Sequence, residues 1–101
     1  MTDVNSQQPP LELPLDLPLQ IARQYRLQWE PSQDCYVLLF PEGMVKLQGG
    51  AGEIMKRIDG NTTLEQLIGA LQAAFPGAEL RQDVLEFVAV AQGKGWIELP
   101  S

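Results

Sequence analysis

From Tyr25 the chain alternates apolar and polar residues without a break: Tyr25-Arg26-Leu27-Gln28-Trp29-Glu30. A period of two puts every second side chain on one face, which is the pattern of a half-buried strand. Pro31-Ser32-Gln33-Asp34 supplies turn residues, and Cys35 to Phe40 is continuously apolar, as in a more central strand. Pro41-Glu42-Gly43 makes a tight turn, with Gly43 available for a positive φ. Met44-Val45-Lys46-Leu47 then reads as a short third strand suited to a sheet edge. The first half is expected to be a three-stranded antiparallel meander.

Gly49 and Gly50 end the alternation, and a helical period follows. Ala51 to Ile58 reads as a short helix closed by Asp59-Gly60. Thr62 and Glu65 have capping-box spacing and open a second helix, with Leu64, Leu67, Ile68, Leu71, Ala74 and Phe75 on one face. Pro76-Gly77 stops it. A third helix spans about Glu79 to Gln92 and buries Leu80, Val84, Phe87, Val88 and Ala91; Trp96-Ile97-Glu98-Leu99 is a short terminal strand or extended tail. Three strands followed by three helices make a small α+β domain, expected to start near Arg23 and run to residue 99.

The segment before Arg23 has another character. Pro10 to Leu19 reads PLELPLDLPL, with leucine at 11, 13, 15, 17 and 19. Proline at this density forbids a helix, so residues 1–22 are expected to be an extended or disordered tail. The alternation carries a second possibility. Prolines 10, 14 and 18 spoil one strand edge and leave the leucine amides on the other, so the tail can add to a sheet edge of its own or a neighbouring molecule. A monomer or a weak, strand-exchanged dimer both fit.

Composition removes whole classes of chemistry. There is no histidine and one cysteine, which excludes Ser-His and Cys-His nucleophile pairs, an internal disulfide, and nearly all zinc sites. Cys35 reads as a buried small hydrophobe within a strand, with no adjacent cation to stabilise a thiolate. A net charge of −6 argues against nucleic acid, whose phosphates need clustered Lys and Arg. No apolar run approaches the roughly 20 residues of a membrane span, and the start of the chain lacks a basic signal-peptide region. The expected compartment is the cytoplasm. Carboxylates are scattered singly apart from Asp83 and Glu86, which fit a solvated helix face, and no glycine loop has phosphate-binding spacing. Neither a catalytic site nor a metal or cofactor site is expected.

A binding module remains. The edge strand Met44, Val45, Lys46, Leu47 can accept an extended peptide, with backbone pairing at Val45 and Leu47. The third helix carries Leu85 and Ala89 beside its core stripe, between Arg81 and Gln92. These residues either pack on the second helix or the N-terminal tail, or line a groove between strand and helix. In the groove reading Lys46 and Arg81 receive acidic peptide side chains. About four strand hydrogen bonds at roughly 0.5–1.5 kcal/mol each, together with a few buried apolar side chains, must first offset the peptide's ordering cost, so submicromolar to micromolar affinity is expected, which Leu85→Asp is expected to weaken tenfold or more.

The runs Tyr25 to Glu30 and Val37-Leu38-Leu39-Phe40-Pro41-Glu42-Gly43-Met44-Val45-Lys46-Leu47 closely resemble the PqqD family of pyrroloquinoline quinone (PQQ) biosynthesis. Asp59-Gly60 before a Thr-capped helix, Asp83-Val84 with Glu86-Phe87, and Gly95-Trp96-Ile97 agree in order and spacing. The resemblance covers about residues 23 to 99. It departs at Gln48 and Gly50, where the family usually has Asn followed by a Ser or Thr cap. It implies a winged helix-turn-helix-like fold of three strands and three helices, and a peptide chaperone that binds the ribosomal precursor PqqA. It also implies delivery of that peptide to PqqE, a radical SAM enzyme that cross-links a Glu and a Tyr of the peptide. The family's peptide site lies between the third strand and third helix, hence on Met44, Val45, Lys46 and Leu47 and on the helix carrying Arg81, Leu85, Ala89 and Gln92. The alternative class, a winged-helix DNA binder or another interaction module, meets the unfavourable charge balance.

Overall fold

The computed structural model describes residues 14–99. Its central sheet is the meander read from the alternation. We number the strands in chain order: β1 Pro18–Ile21, β2 Arg26–Glu30, β3 Cys35–Phe40 and β4 Gly43–Leu47. β3 lies between β2 and β4, antiparallel to both, with Leu27 opposite Leu38 and Leu38 opposite Val45. Those facing residues share one side of the pleat, so Leu38 and Leu47 enter the core with Leu27, Tyr36 and Val45 packed against it. The Pro41-Glu42 turn needs no left-handed residue at Gly43. Positive φ falls instead on Asp34 (φ 55) in the preceding turn. Cys35 is half-buried rather than fully buried.

The end of the N-terminal segment follows the second reading, adding to a sheet of its own molecule, and is not a free tail. Pro18–Ile21 forms β1, the middle strand of a second antiparallel sheet with β5 (Thr62–Thr63) and β6 (Ile97–Glu98). Leu19 and Ala22 are buried there, so the packed domain begins before Arg23. Pro18 is tolerated because it is the first residue of its strand, where a missing N–H costs least. Further bonds fix the segment: Gly60 N–H donates to the Leu19 carbonyl (2.9 Å), Ala22 N–H to Trp96 (2.8 Å), and Glu65 N–H to Leu15 (3.1 Å). The leucines and prolines before Pro14 lie outside the described residues.

Three helices complete the α+β fold: α1 Gly50–Met55, α2 Leu64–Ala74 and α3 Arg81–Gly93. α1 starts at Gly49 (φ 59, ψ −133) without a side-chain cap, in keeping with the glycines at this position. It ends at Met55, and shorter i→i+3 bonds carry the turns on to Ile58. The α2 capping box is one residue later than expected. Thr63 Oγ1 accepts the Gln66 N–H (3.1 Å), and Gln66 Oε1 accepts the Thr63 N–H (3.0 Å). Thr62 and Thr63 both pair with β1, and Thr63 is the extended residue directly before the helix. The α2–α3 corner is held by Gln72, which accepts the Leu80 N–H (3.0 Å) and donates to the Ala78 carbonyl (2.9 Å). Leu67, Ile68, Leu71, Val84 and Val88 close the core between these helices and the sheet.

Candidate functional site

β4 is an edge strand: among the described residues it pairs only with β3. The two-residue turn at Pro41-Glu42 makes Phe40 and Gly43 a hydrogen-bonded pair. Bonded and non-bonded pairs alternate along an antiparallel ladder. Leu38–Val45 and Tyr36–Leu47 are therefore bonded pairs, and their β4 backbone groups are spent on β3. The N–H and C=O groups on the open edge belong to Met44 and Lys46. This corrects the expectation that Val45 and Leu47 offer the backbone bonds. Those two residues instead point their side chains inward, with Leu47 buried and Val45 packed on the core, while Met44 and Lys46 are exposed.

β4 leads directly into a cleft. Two residues after Leu47, Gly49 and Gly50 form one wall of an open space of about 620 Å³, continued by Ala51 and Ile54 of α1. Leu71 of α2, its C-cap Phe75, the α3 N-cap Leu80, and Val84 and Phe87 of α3 also line it. Phe75 remains 42% exposed beside it. Glycine at 49 keeps the wall open and supplies the left-handed φ that turns the chain from β4 into α1.

The charged lining residues are Glu53 and Asp83, both acidic. Arg57 Nη1 stands 2.9 Å from Glu53 Oε1, and Lys56 Nζ stands 3.6 Å from it. The bond from Arg57 holds the Glu53 carboxyl below its usual range. Asp83 has no ion-pair partner among the described residues.

α3 meets its neighbours along two flanks of one buried stripe, Val84-Val88-Ala91. At 100° per residue, Leu80, Asp83 and Phe87 fall on one flank, toward the cleft and α1. Arg81, Leu85, Ala89 and Gln92 fall on the other. Arg81 Nη2 lies 3.5 Å from Glu65 Oε1, so that flank runs along the first turn of α2, where Leu15 is also bonded. Leu85 and Ala89 are half-buried, Leu85 against the core; Arg81 and Gln92 are exposed. The cleft at the end of β4 contains none of the eight residues singled out from the sequence. Asp83, Val84 and Phe87 of the same helix do line it, so the helix meets the cleft through its other flank. Phe87 was legible as apolar but was assigned to the core, and no local signal marks it as cleft-lining.

The arrangement offers a strand edge and an adjoining apolar cleft. Among the described residues no three His, Cys, Asp or Glu side chains converge on a metal-sized site, and no helix is long and apolar enough to cross a membrane.

Known proteins are similar to this chain in sequence and in fold. Residues 35–97 match the family model described as Coenzyme PQQ synthesis protein D, PqqD. The chain is 47% identical over 81 residues to a protein of Azotobacter vinelandii named PqqA binding protein, covering 79% of this chain and 88% of the relative. A protein of the same name from Acinetobacter baylyi is 47% identical over 76 residues, 74% of this chain and 77% of that one. Among solved structures, the solution structure of the PqqD truncation of Methylobacterium extorquens PqqCD aligns with a TM-score of 0.69 and 25% identity, covering 88% of this chain and 97% of that one. That truncation is described as a functional, stand-alone recognition element for ribosomally synthesised and post-translationally modified peptides. The matched stretch runs from β3 through β4, the cleft and all three helices to β6, and on that ground the chain belongs to the PqqD family.

Proposed function

We propose that this chain is a non-catalytic carrier in PQQ biosynthesis, binding the precursor peptide PqqA and presenting it to the radical SAM enzyme PqqE. The observation that carries the reading is the 47% identity, over most of both chains, to a protein named for binding PqqA. The open edge of β4 supplies a mechanism. An extended peptide laid along it exchanges up to four hydrogen bonds with the N–H and C=O groups of Met44 and Lys46. Continuing past Leu47, the peptide places a bulky apolar side chain in the cleft against Phe87, Val84 and Leu80 of α3. A carrier releases its cargo, so micromolar-range affinity suits the role. With no histidine and a single half-buried cysteine, the chain contributes binding, and the chemistry belongs to the partner enzyme. The reading places the chain in the cytoplasm, where an unpaired cysteine stays reduced.

The test is an NMR titration of the labelled chain with PqqA, repeated with Phe87→Ala and Leu85→Ala. Both residues are half-buried beside the core, so the two variants carry similar structural costs. Amide shifts are expected at Met44, Lys46 and Gly49 and along the Leu80–Phe87 flank. Phe87→Ala should weaken binding about tenfold, a loss of about 1.4 kcal/mol, and Leu85→Ala less than twofold. The reverse order would move the peptide to the Arg81-Leu85-Ala89-Gln92 flank expected from the sequence. No shifts at tens of micromolar PqqA would defeat the carrier role.

A further inference from the structure

We infer that Asp83 makes the cleft selective for peptides that carry a lysine or arginine next to the apolar residue it holds. The inference rests on the peptide-binding reading above and concerns the charge of the cargo. The side chains lining the cleft include two carboxylates and no cation, hydroxyl or amide. The two carboxylates are not equivalent. Glu53 is already engaged by Arg57 at 2.9 Å and Lys56 at 3.6 Å, and Lys56 also sits over the Tyr36 ring, 6.0 Å from its centroid. Asp83 is exposed and has no such partner among the described residues. It stands one turn before Phe87 on the same flank, so a charge meeting it lies beside the apolar anchor rather than at a distant point of the peptide.

The cations assigned from sequence to receive the peptide do not serve this place. Arg81 is directed to Glu65 on the opposite flank of α3, and Lys46 points to the outer face of the sheet. The sign of the recognised charge is therefore the reverse of the expected one: the cleft takes a basic neighbour, not an acidic one. Asp83 has a second role that the test must separate. It lies in the first turn of α3, where a carboxylate also complements the helix dipole.

A double-mutant cycle separates the two. PqqA, and PqqA with its Lys and Arg residues changed to Gln, are titrated into the unsubstituted chain, Asp83→Asn and Asp83→Lys, with a thermal melt of each. For PqqA we expect Asp83→Asn to weaken binding roughly threefold to fivefold, the scale of one partly exposed ion pair. Asp83→Lys should cost more than Asp83→Asn. The Gln-substituted peptide should not distinguish the unsubstituted chain from Asp83→Asn, and the PqqA difference should shrink as salt rises. Equal losses for both peptides, or no loss, would overturn the inference while leaving the carrier role intact. Failure of PqqA to bind the unsubstituted chain would instead overturn the carrier reading itself.

Discussion

Leu19 is 2% exposed on β1, the strand that joins the two ends of the domain. β1 is held on either side by a ladder of only two residue pairs: Pro18 and Leu19 with Thr63 and Thr62, and Gln20 and Ile21 with Glu98 and Ile97. Leu19→Ala leaves these backbone bonds in place and removes only the buried side chain. Leucine-to-alanine changes in cores cost about 2–5 kcal/mol, the spread reflecting how far a site collapses. Short ladders allow some collapse here, so we expect about 3 kcal/mol. A domain of this size has about 5–10 kcal/mol in all, so one side chain removes a third or more of it. At about 4–8 °C per kcal/mol the melting point falls by about 12–24 °C.

The assay is urea denaturation followed by tryptophan fluorescence, since Trp96 directly precedes β6 and its carbonyl accepts the Ala22 N–H. Two shortened chains complete the experiment. One beginning at Pro14 keeps every packed residue described above and serves as the reference. One beginning at Arg23, the boundary read from sequence, loses Leu19, Ala22 and β1 together and should be largely unfolded. If Leu19→Ala and the Arg23 chain both melt like the parent, the N-terminal segment is peripheral and its buried leucine contributes nothing.

Three other outcomes follow from the geometry. Thr63→Ala should cost about 1 kcal/mol in a urea melt by removing the α2 cap, and Glu65→Ala much less, because Gln66 and not Glu65 completes the box. Gly52→Ala should destabilise by about 1–2 kcal/mol despite alanine's better helix propensity. The added methyl lies 3.1 Å from Tyr36 Cδ2 and 3.5 Å from the Leu47 carbonyl oxygen in a buried position, and a smaller cost of Gly52→Ala in a Tyr36→Ala background than in the parent would identify the ring contact as the cause. The Glu53 carboxyl, held low mainly by the Arg57 hydrogen bond, should titrate below its usual range by NMR. Its folded-state pKa lies below the unfolded one, so its stabilising contribution is full above the unfolded pKa and is lost as pH falls through the folded pKa. Arg57→Gln should raise that pKa; an unchanged value would show that the bond is not formed in solution.

The meander was legible because both of its signals are local: a period of two and turns rich in proline and polar residues. The capping register was missed by one because Thr62 and Thr63 each have an acceptor three residues on, Glu65 and Gln66. Both threonines pair with β1, and what decides between them is that the helix starts at Leu64, leaving Thr63 as the extended residue before it. Of the second sheet the sequence shows only pieces, the leucine alternation ending at Leu19 and the short strand at Trp96–Leu99, and nothing of how they pair. Its strands meet in two-residue ladders, and Gln20 and Glu98, joined by a 3.0 Å side-chain bond, are 78 positions apart in sequence.

The candidate site shows the same limit more sharply. A helical wheel finds the buried stripe of α3 because hydrophobicity is a property of that helix alone. Which flank meets β4 is not such a property. It depends on where α2 and α1 lie, and separate elements decide it: Arg81 pairs with Glu65 on one side, and Phe87 lines the same cleft as Gly49 and Gly50 on the other. Leu85 and Phe87 are equally apolar and only two residues apart. That spacing is enough to move a side chain from one flank to the other, and with it the sign of the charge that a bound peptide would meet.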